Sequence, residues 1–414
     1  MTAAARPRLL FVSPRFLFPA DEGGKIRTGN ILRCMKAGAF EIILASPAPA
    51  DFARHAEAID AACDRFVHWP EARRGRLRRL LSLADPLPVS VAGDRSAEGT
   101  RVLSDLLAAG IDLVVVDFPH AAVLVPDLRA TPSVLFTHNV EAEILERHAA
   151  VATGLWRRVW TSQARKMRAF EREACGRFTS VIAVSERDSV LLAERYGLAR
   201  VERIDTGVDV AFFAFSRPED RPPPPPGGGT VVFTGAMDWA ANIDGVRFLM
   251  EAVWPRVAAA RPAARAVIVG RRPPASLVDQ ARAAGVAFTF TGFVDDVRPY
   301  VADADLSVIP LRVGSGTRIK AFEAMALGRP VVSTRVGVEG LGITEGEHFL
   351  AADTPDDFAD AILRLLGDDA LRHRLAAAAR HLVEQRFTWD KVAAQFEAIC
   401  ARALAAHAEA ARAA

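Results

Sequence analysis

The chain has 414 residues, half of them hydrophobic and a quarter charged, with a formal net charge of +2. That length suggests two or three domains with sizeable cores, and the charge balance excludes a nucleic-acid binder acting through a domain-wide positive field. Four scattered cysteines (Cys34, Cys63, Cys175, Cys400) form no C-x-x-C and no disulfide framework, so they read as buried thiols of a reducing compartment.

The opening MTAAARPRLLFVSPRF has no long apolar stretch before its first charges, which is unlike a signal peptide. No apolar run nears the roughly 20 residues of a membrane span, so a cytoplasmic location is expected. Six short apolar, β-branched runs follow in the first half: 8–14, 41–47, 64–69, 111–117, 133–139 and 179–185. Each is separated from the next by a turn or a helical stretch. Directly after the first run, PADEGGKIRTGNIL puts Gly23 and Gly24 at the start of a helix. In open parallel sheets ligands bind outside the carboxyl ends of the strands, and this loop belongs there. It reads either as a ligand loop or as a plain turn.

EARRGRLRRLLSL packs Arg73, Arg74, Arg76, Arg78 and Arg79 beside leucines. Such a basic amphipathic stretch suits peripheral contact with anionic lipid, and equally an exposed helix in an arginine-rich chain. His138 ends the run SVLFTHN, where a side chain points to the functional crevice rather than the core. The segment RPEDRPPPPPGGGT then combines a stiff proline run with flexible glycines, as linkers do. The pattern resumes with apolar runs at 230–236, 264–270, 286–292, 306–311, 330–335 and 348–353. Continuous apolar strands alternating with helices imply two parallel sheets, each covered on both faces. The expected organisation is an N-terminal domain over 1–216, a linker over 217–229, a C-terminal domain over 230–386 and a terminal helix over 387–414. In that helix Phe387, Val392, Phe396 and Ile399 fall roughly on one face.

The stretch LSVIPLRVGSGTRIKAFEAMALGRPVVST (306–334) carries the most chemistry. It reads as strand, Gly-Ser-Gly loop, short helix and strand. A helix N-terminus presents unpaired N–H groups and partial positive charge, which favour phosphate. Gly314 and Gly316 would let the backbone approach it, with Ser315 and Thr317 between and after them. Arg318 and Lys320 add full charges, and Glu323 could accept from ribose hydroxyls. Only five lysines occur among the 52 basic residues, and Lys25 and Lys320 both lie beside glycine-rich loops. An Asp-Ala-Asp at 303–305 has the wording of a metal motif, but it lies at a helix-to-strand junction without a second carboxylate cluster, and we reject it.

GSGTRIKAFEAMALGRPVVS closely resembles the donor-site signature of GT-B glycosyltransferases of the family-four type, and VIAVSERDSVLLAERYG, IDTGVDVAFF, FTGAMDWAANIDGVRFL and TGFVDDVRPYVADADLSVIPL extend the likeness over nearly the whole chain. Bacterial exopolysaccharide sugar transferases are similar. The resemblance implies a GT-B fold: two Rossmann-like doubly wound sheets facing a cleft, the C-terminal helix crossing back to the N-terminal domain. It implies a nucleoside-diphosphate sugar donor held mainly by the C-terminal domain, retention of configuration, and no metal or other cofactor. By that resemblance His138 contacts the transferred sugar, Gly23 and Gly24 approach the donor, and the turn at Gly292, Phe293 and Val294 holds the base through backbone groups. Arg318 and Lys320 meet the diphosphate and Glu323 the ribose.

One position departs from the pattern. The usual motif is E-x7-E, and eight residues before Glu323 stands Ser315 rather than glutamate. The expected activity is sugar transfer to a saccharide or lipid-linked saccharide in surface glycan synthesis. A GT-B nucleotide-sugar epimerase and a catalytically silent sugar-nucleotide binder are the alternatives.

Overall fold

Alternate residues of the central strands feed two different cores, which is why those strands read as unbroken apolar runs. The computed structural model describes residues 5–71, 81–217, 223–313 and 318–413. Two compact units divide them: residues 1–205 with 389–414, and residues 206–388.

In the N-terminal unit seven strands form one parallel sheet: β1 (Arg8–Val12), β2 (Glu41–Ala48), β3 (Arg65–Pro70), β4 (Leu113–Asp117), β5 (Ser133–Phe136), β6 (Ser180–Ala183) and β7 (Glu202–Arg203). Their order is β3-β2-β1-β4-β5-β6-β7. β1 lies between β2 and β4, with Leu9 opposite both Ile42 and Leu113. Leu9 and Phe11 enter the core on one face, Leu10 and Val12 the core on the other. Strand order reverses between β1 and β4, and crevices for ligands form at such a point. Three helices border that end of the sheet or pack beside it: α1 (Gly23–Met35), α2 (Glu141–Val151) and α3 (Gly154–Arg177).

The second unit repeats the plan with β8 (Gly228–Thr234), β9 (Ala263–Val269), β10 (Phe288–Gly292), β11 (Leu306–Ile309), β12 (Val331–Ser333) and β13 (Leu350–Ala351). The order is β10-β9-β8-β11-β12-β13, so its reversal falls between β8 and β11. Helices α4 (Ala240–Phe248) and α5 (Ile319–Ala326) follow those two strands.

Two boundaries differ from expectation. The second unit begins at Thr206, ahead of the proline run, because Val208 and Phe213 bury in its core. Gly228 and Gly229, expected in the linker, lie in β8 and pair with Ala263 and Ala264. A Cβ on Gly229 would come within 2.5 Å of Leu366 Cδ2, so the glycine there serves packing.

The last helix, α6 (Trp389–Ala413), belongs to the N-terminal unit. Val392, Phe396 and Ile399 are buried there, and Phe396 meets Phe136 edge-on with ring centroids 5.1 Å apart. Phe387 is not on this helix face. It stacks on Phe322 in the other unit, centroids 4.4 Å apart, so the chain changes units at residues 388–389. Among the described residues no helix is long and apolar enough to cross a membrane.

Candidate functional site

In the C-terminal unit the site is built where β8 and β11 end. Helix α5 buries Ala321, Phe322, Ala324, Met325 and Ala326. Lys320 and Glu323, three residues apart and so on neighbouring positions of the helix surface, remain only partly covered. Gly328 closes the helix at φ 75°, and a Cβ there would strike the Phe215 ring at 2.5 Å. Arg318 is the buried N-cap residue, one position before the first turn. Gly314, Ser315, Gly316 and Thr317 lie outside the described residues.

The Lys320 ammonium donates to Asn242 Oδ1 at 3.1 Å and sits 4.3 Å from the centre of the Phe233 ring. Asn242 also donates from Nδ2 to the Ala236 carbonyl at 2.8 Å, and this second bond fixes which way its amide faces. Gly235 has no room for a side chain, since a Cβ would lie 2.6 Å from Lys320 Nζ. Arg312, at the start of the β11–α5 connection, grips Asp244 of α4 with Nε to Oδ2 at 3.0 Å and Nη2 to Oδ1 at 2.5 Å. The two connections are thereby tied together. Burial, reinforced by the neighbouring Arg318 charge, pulls the Lys320 pKa down to about 7 although Glu323 opposes it. Burial likewise lifts Glu323 to about 7, against the pull of Lys320. Both groups are poised to change charge near neutrality.

Phe293 is 72% exposed in the turn after β10, where Gly292 adopts φ 72°, and Val294 packs on the core behind it. Asp305, of the rejected Asp-Ala-Asp, accepts from the Thr230 N–H at 2.7 Å and pins β11 to β8.

The N-terminal unit has its own polar cluster at its reversal point. Gly23 and Gly24 are the first two residues of α1. Asp117, at the end of β4, is fully buried and accepts from Thr28 Oγ1 at 3.1 Å, Ser13 Oγ at 3.4 Å and His138 Nε2 at 2.6 Å. His138 Nδ1 in turn accepts from Arg27 Nη1 at 2.9 Å, because a guanidinium can only donate. The imidazole is therefore the neutral Nε2–H tautomer, and burial lowers its pKa despite Asp117. Both ring nitrogens are committed within the unit, and a hydrogen bond to a sugar would have to displace one of them. Burial also lowers the Arg27 pKa, to about 10. Phe118, at φ 67°, stacks on His138 at 4.0 Å and on His120 at 5.4 Å. Gly24 is needed against this stack, since a Cβ would meet Phe118 Cζ at 2.8 Å. Lys25, which follows the two glycines, pairs with Asp21 at 3.1 Å.

Sequence reasoning missed Asn242, Arg27, Asp117 and Phe118. Asp117 carried a readable signal, a carboxylate closing an apolar strand, whereas Arg27 and Asn242 look like surface residues of helices. Also missed was a cavity of about 710 Å³ in the N-terminal unit, lined by His120, Glu141, Asp94, Trp69, Trp156 and Trp160. His120 lies 3.4 Å from Asp94 and 3.9 Å from Glu141. Burial alone would lower its pKa, but these two carboxylates outweigh it and hold the imidazole at about 9. The Arg73–Arg79 cluster falls outside the described residues.

Comparison with known proteins agrees with this architecture. A model described as Glycosyltransferase Family 4 matches residues 22–212, and one described as Glycosyl transferases group 1 matches residues 228–368. The phosphatidyl-myo-inositol mannosyltransferase of Mycolicibacterium smegmatis is 33% identical over 218 residues, covering 52% of this chain and 55% of that protein. The chain spans about half the length of the curated mannosyltransferases it matches. Among solved structures, sucrose-phosphate synthase from Thermosynechococcus elongatus superposes with a TM-score of 0.69 at 16% identity, covering 97% of this chain and 100% of that one. Anabaena HepE in complex with UDP and glucose gives a TM-score of 0.66 at 16% identity, covering 96% and 100%. These structures share the two-sheet GT-B fold with this chain.

Proposed function

Because the chain belongs to the GT-B glycosyltransferases of the family-four type, we propose that it transfers a sugar from a nucleoside-diphosphate donor to a saccharide or lipid-linked saccharide. The reaction retains anomeric configuration, uses no metal, and serves surface glycan synthesis at the cytoplasmic side of the membrane. The observation that carries this reading is the Lys320 ammonium. It is partly buried near the start of α5, aimed by Asn242, and drawn down to about 7 by burial. A diphosphate laid across that helix start would restore its charge. As the glycosidic bond breaks, negative charge grows on the departing diphosphate, and cations already in position stabilise it without reorganising.

In this reading Lys320, Arg318 and the amides of residues 314–317 receive the diphosphate. Glu323 accepts from the ribose, and exposed Phe293 with Val294 at its back offers a platform for the base. The complex of HepE with UDP and glucose supports that donor class. The phosphatidyl-myo-inositol mannosyltransferase relative supports a lipid-linked acceptor. With both nitrogens of His138 engaged within the N-terminal unit, its contribution is to hold the Phe118 ring in place against Gly24. The Ser315 that replaces the first glutamate leaves sugar choice to the loop amides and its own hydroxyl.

Titration calorimetry of UDP and of GDP into the wild-type chain and Lys320→Ala tests this. Removing a charge-assisted hydrogen bond of roughly 1.5–3 kcal/mol predicts a loss of about 10- to 150-fold in affinity for the diphosphate that binds. Lys320→Arg should rescue only in part, because a planar fork does not fill the place of a compact ammonium. A loss below about threefold in Lys320→Ala would mean that this lysine meets no phosphate.

A further inference from the structure

The helical hairpin of α2 and α3 ends in an apolar tip. Val151, Leu155 and Trp156 are 82%, 74% and 66% exposed. The reversal is made by Ala152 and Thr153, with Gly154 at φ 57°. One turn inward His148 stacks on Trp160, centroids 4.8 Å apart, so the two helices are paired there while the tip side chains are left over. Arg157 and Arg158 follow at once and both are exposed. A single exposed leucine needs no explanation, but three large apolar side chains on one tip beside two arginines do.

The chemistry of the tip selects its partner. Residues 151–158 carry two arginines and no carboxylate, so the tip is complementary in charge to an anionic surface. A second copy of the chain, whose interface could also accept tryptophan and arginine, is the rival occupant. An anionic bilayer takes both kinds of side chain at once. Apolar groups enter the boundary between headgroups and acyl chains, tryptophan is at home there, and arginines meet the lipid phosphates. We propose that the hairpin tip formed by residues 151–158 docks on an anionic lipid surface. Val151, Leu155 and Trp156 insert, while Arg157 and Arg158 bind headgroup phosphates. Trp156 also lines the 710 Å³ cavity, together with His120 and Glu141. Docking at the tip therefore brings the cavity beside the bilayer, where the headgroup of a membrane-anchored acceptor can enter it. Entry of an acceptor into the cavity rests on the transferase reading, and the docking itself does not.

The test is co-sedimentation of the full chain with phosphatidylcholine vesicles containing none or about one-third phosphatidylglycerol. Wild type should bind the anionic vesicles at low salt and the neutral ones far less, with salt weakening the difference. L155A/W156A should lower partitioning at least about tenfold, and R157E/R158E at least about 25-fold. Both variants alter exposed residues and should keep the diphosphate affinity of wild type. Absence of wild-type binding at low salt, or unchanged binding by L155A/W156A, overturns the proposal. So does a concentration-dependent oligomer that both variants dissolve, since the tip would then belong to a second copy of the chain. Loss of the diphosphate signal in wild type would sink the donor reading and leave the docking result standing.

Discussion

Lys320 and Glu323 stand three residues apart on one helix, and both titrate near pH 7 rather than at their ordinary values. This gives diphosphate binding a proton linkage whose sign is fixed. At pH 8 most Lys320 is neutral, and a bound diphosphate favours the ammonium, so binding must take a proton from solvent. Glu323 is already ionised at that pH, and the last phosphate proton of the ligand leaves near pH 6. Lys320 is then the group that moves. Affinity should fall as pH rises above 7, by up to about tenfold per unit, until the raised pKa of the complex is reached. Calorimetry at pH 8 in two buffers of different ionisation heat measures the uptake directly. Wild type should approach one proton and Lys320→Met none, whereas equal heats in both buffers for wild type would remove Lys320 from the anion site.

At the scale of elements, α1 carries two glycines beyond its first residue with opposite surroundings. A Cβ on Gly24 would meet Phe118 at 2.8 Å, while one on Gly29 finds nothing within 4 Å. Gly29→Ala should therefore stabilise the N-terminal unit by about 0.5–1 kcal/mol through helix propensity alone. In Gly24→Ala the same gain is outweighed by pushing Phe118, whose ring is stacked between two histidines, at an expected cost of about 1–3 kcal/mol. Urea unfolding of the two variants should show shifts of opposite sign. Equal shifts would mean that the Phe118 stack yields freely. The strands of both sheets were legible because burial on two faces writes itself as an apolar run. The exception was β7, a two-residue strand with no such run. Helix α5 was legible as a short helix because a glycine-rich stretch precedes it and a Gly-Arg-Pro stop follows it. What could not be read were partners meeting from distant segments. Asn242 is indistinguishable in sequence from any polar residue near a helix start. Arg27 and His138 lie 111 residues apart, and only the fold shows that each satisfies the other. Phe387 fits the periodicity of α6, yet it anchors the opposite unit, because periodicity cannot tell where a chain crosses between cores.

For the whole molecule, the telling feature is that residues following the C-terminal unit return to the N-terminal one. The four hydrophobic clusters respect this division: two contain α6 or the N-terminal sheet, two the sheet of residues 206–388, and none mixes them. Phe396 is fully buried between Phe136 and Phe11, with centroids at 5.1 and 6.4 Å. Phe396→Ala should then cost about 3–5 kcal/mol in the stability of the N-terminal unit, although the mutated residue lies closer in sequence to the other. A nucleoside diphosphate acting through Lys320 should stabilise the C-terminal unit instead, by about 2.7 kcal/mol at a hundred times its Kd. Units with separate cores unfold separately, so calorimetric melting should resolve two transitions. One moves with Phe396→Ala and ignores the diphosphate; the other does the reverse. If the ligand and the mutation moved the same transition, either the donor is not bound by residues 206–388 or α6 does not complete the N-terminal core.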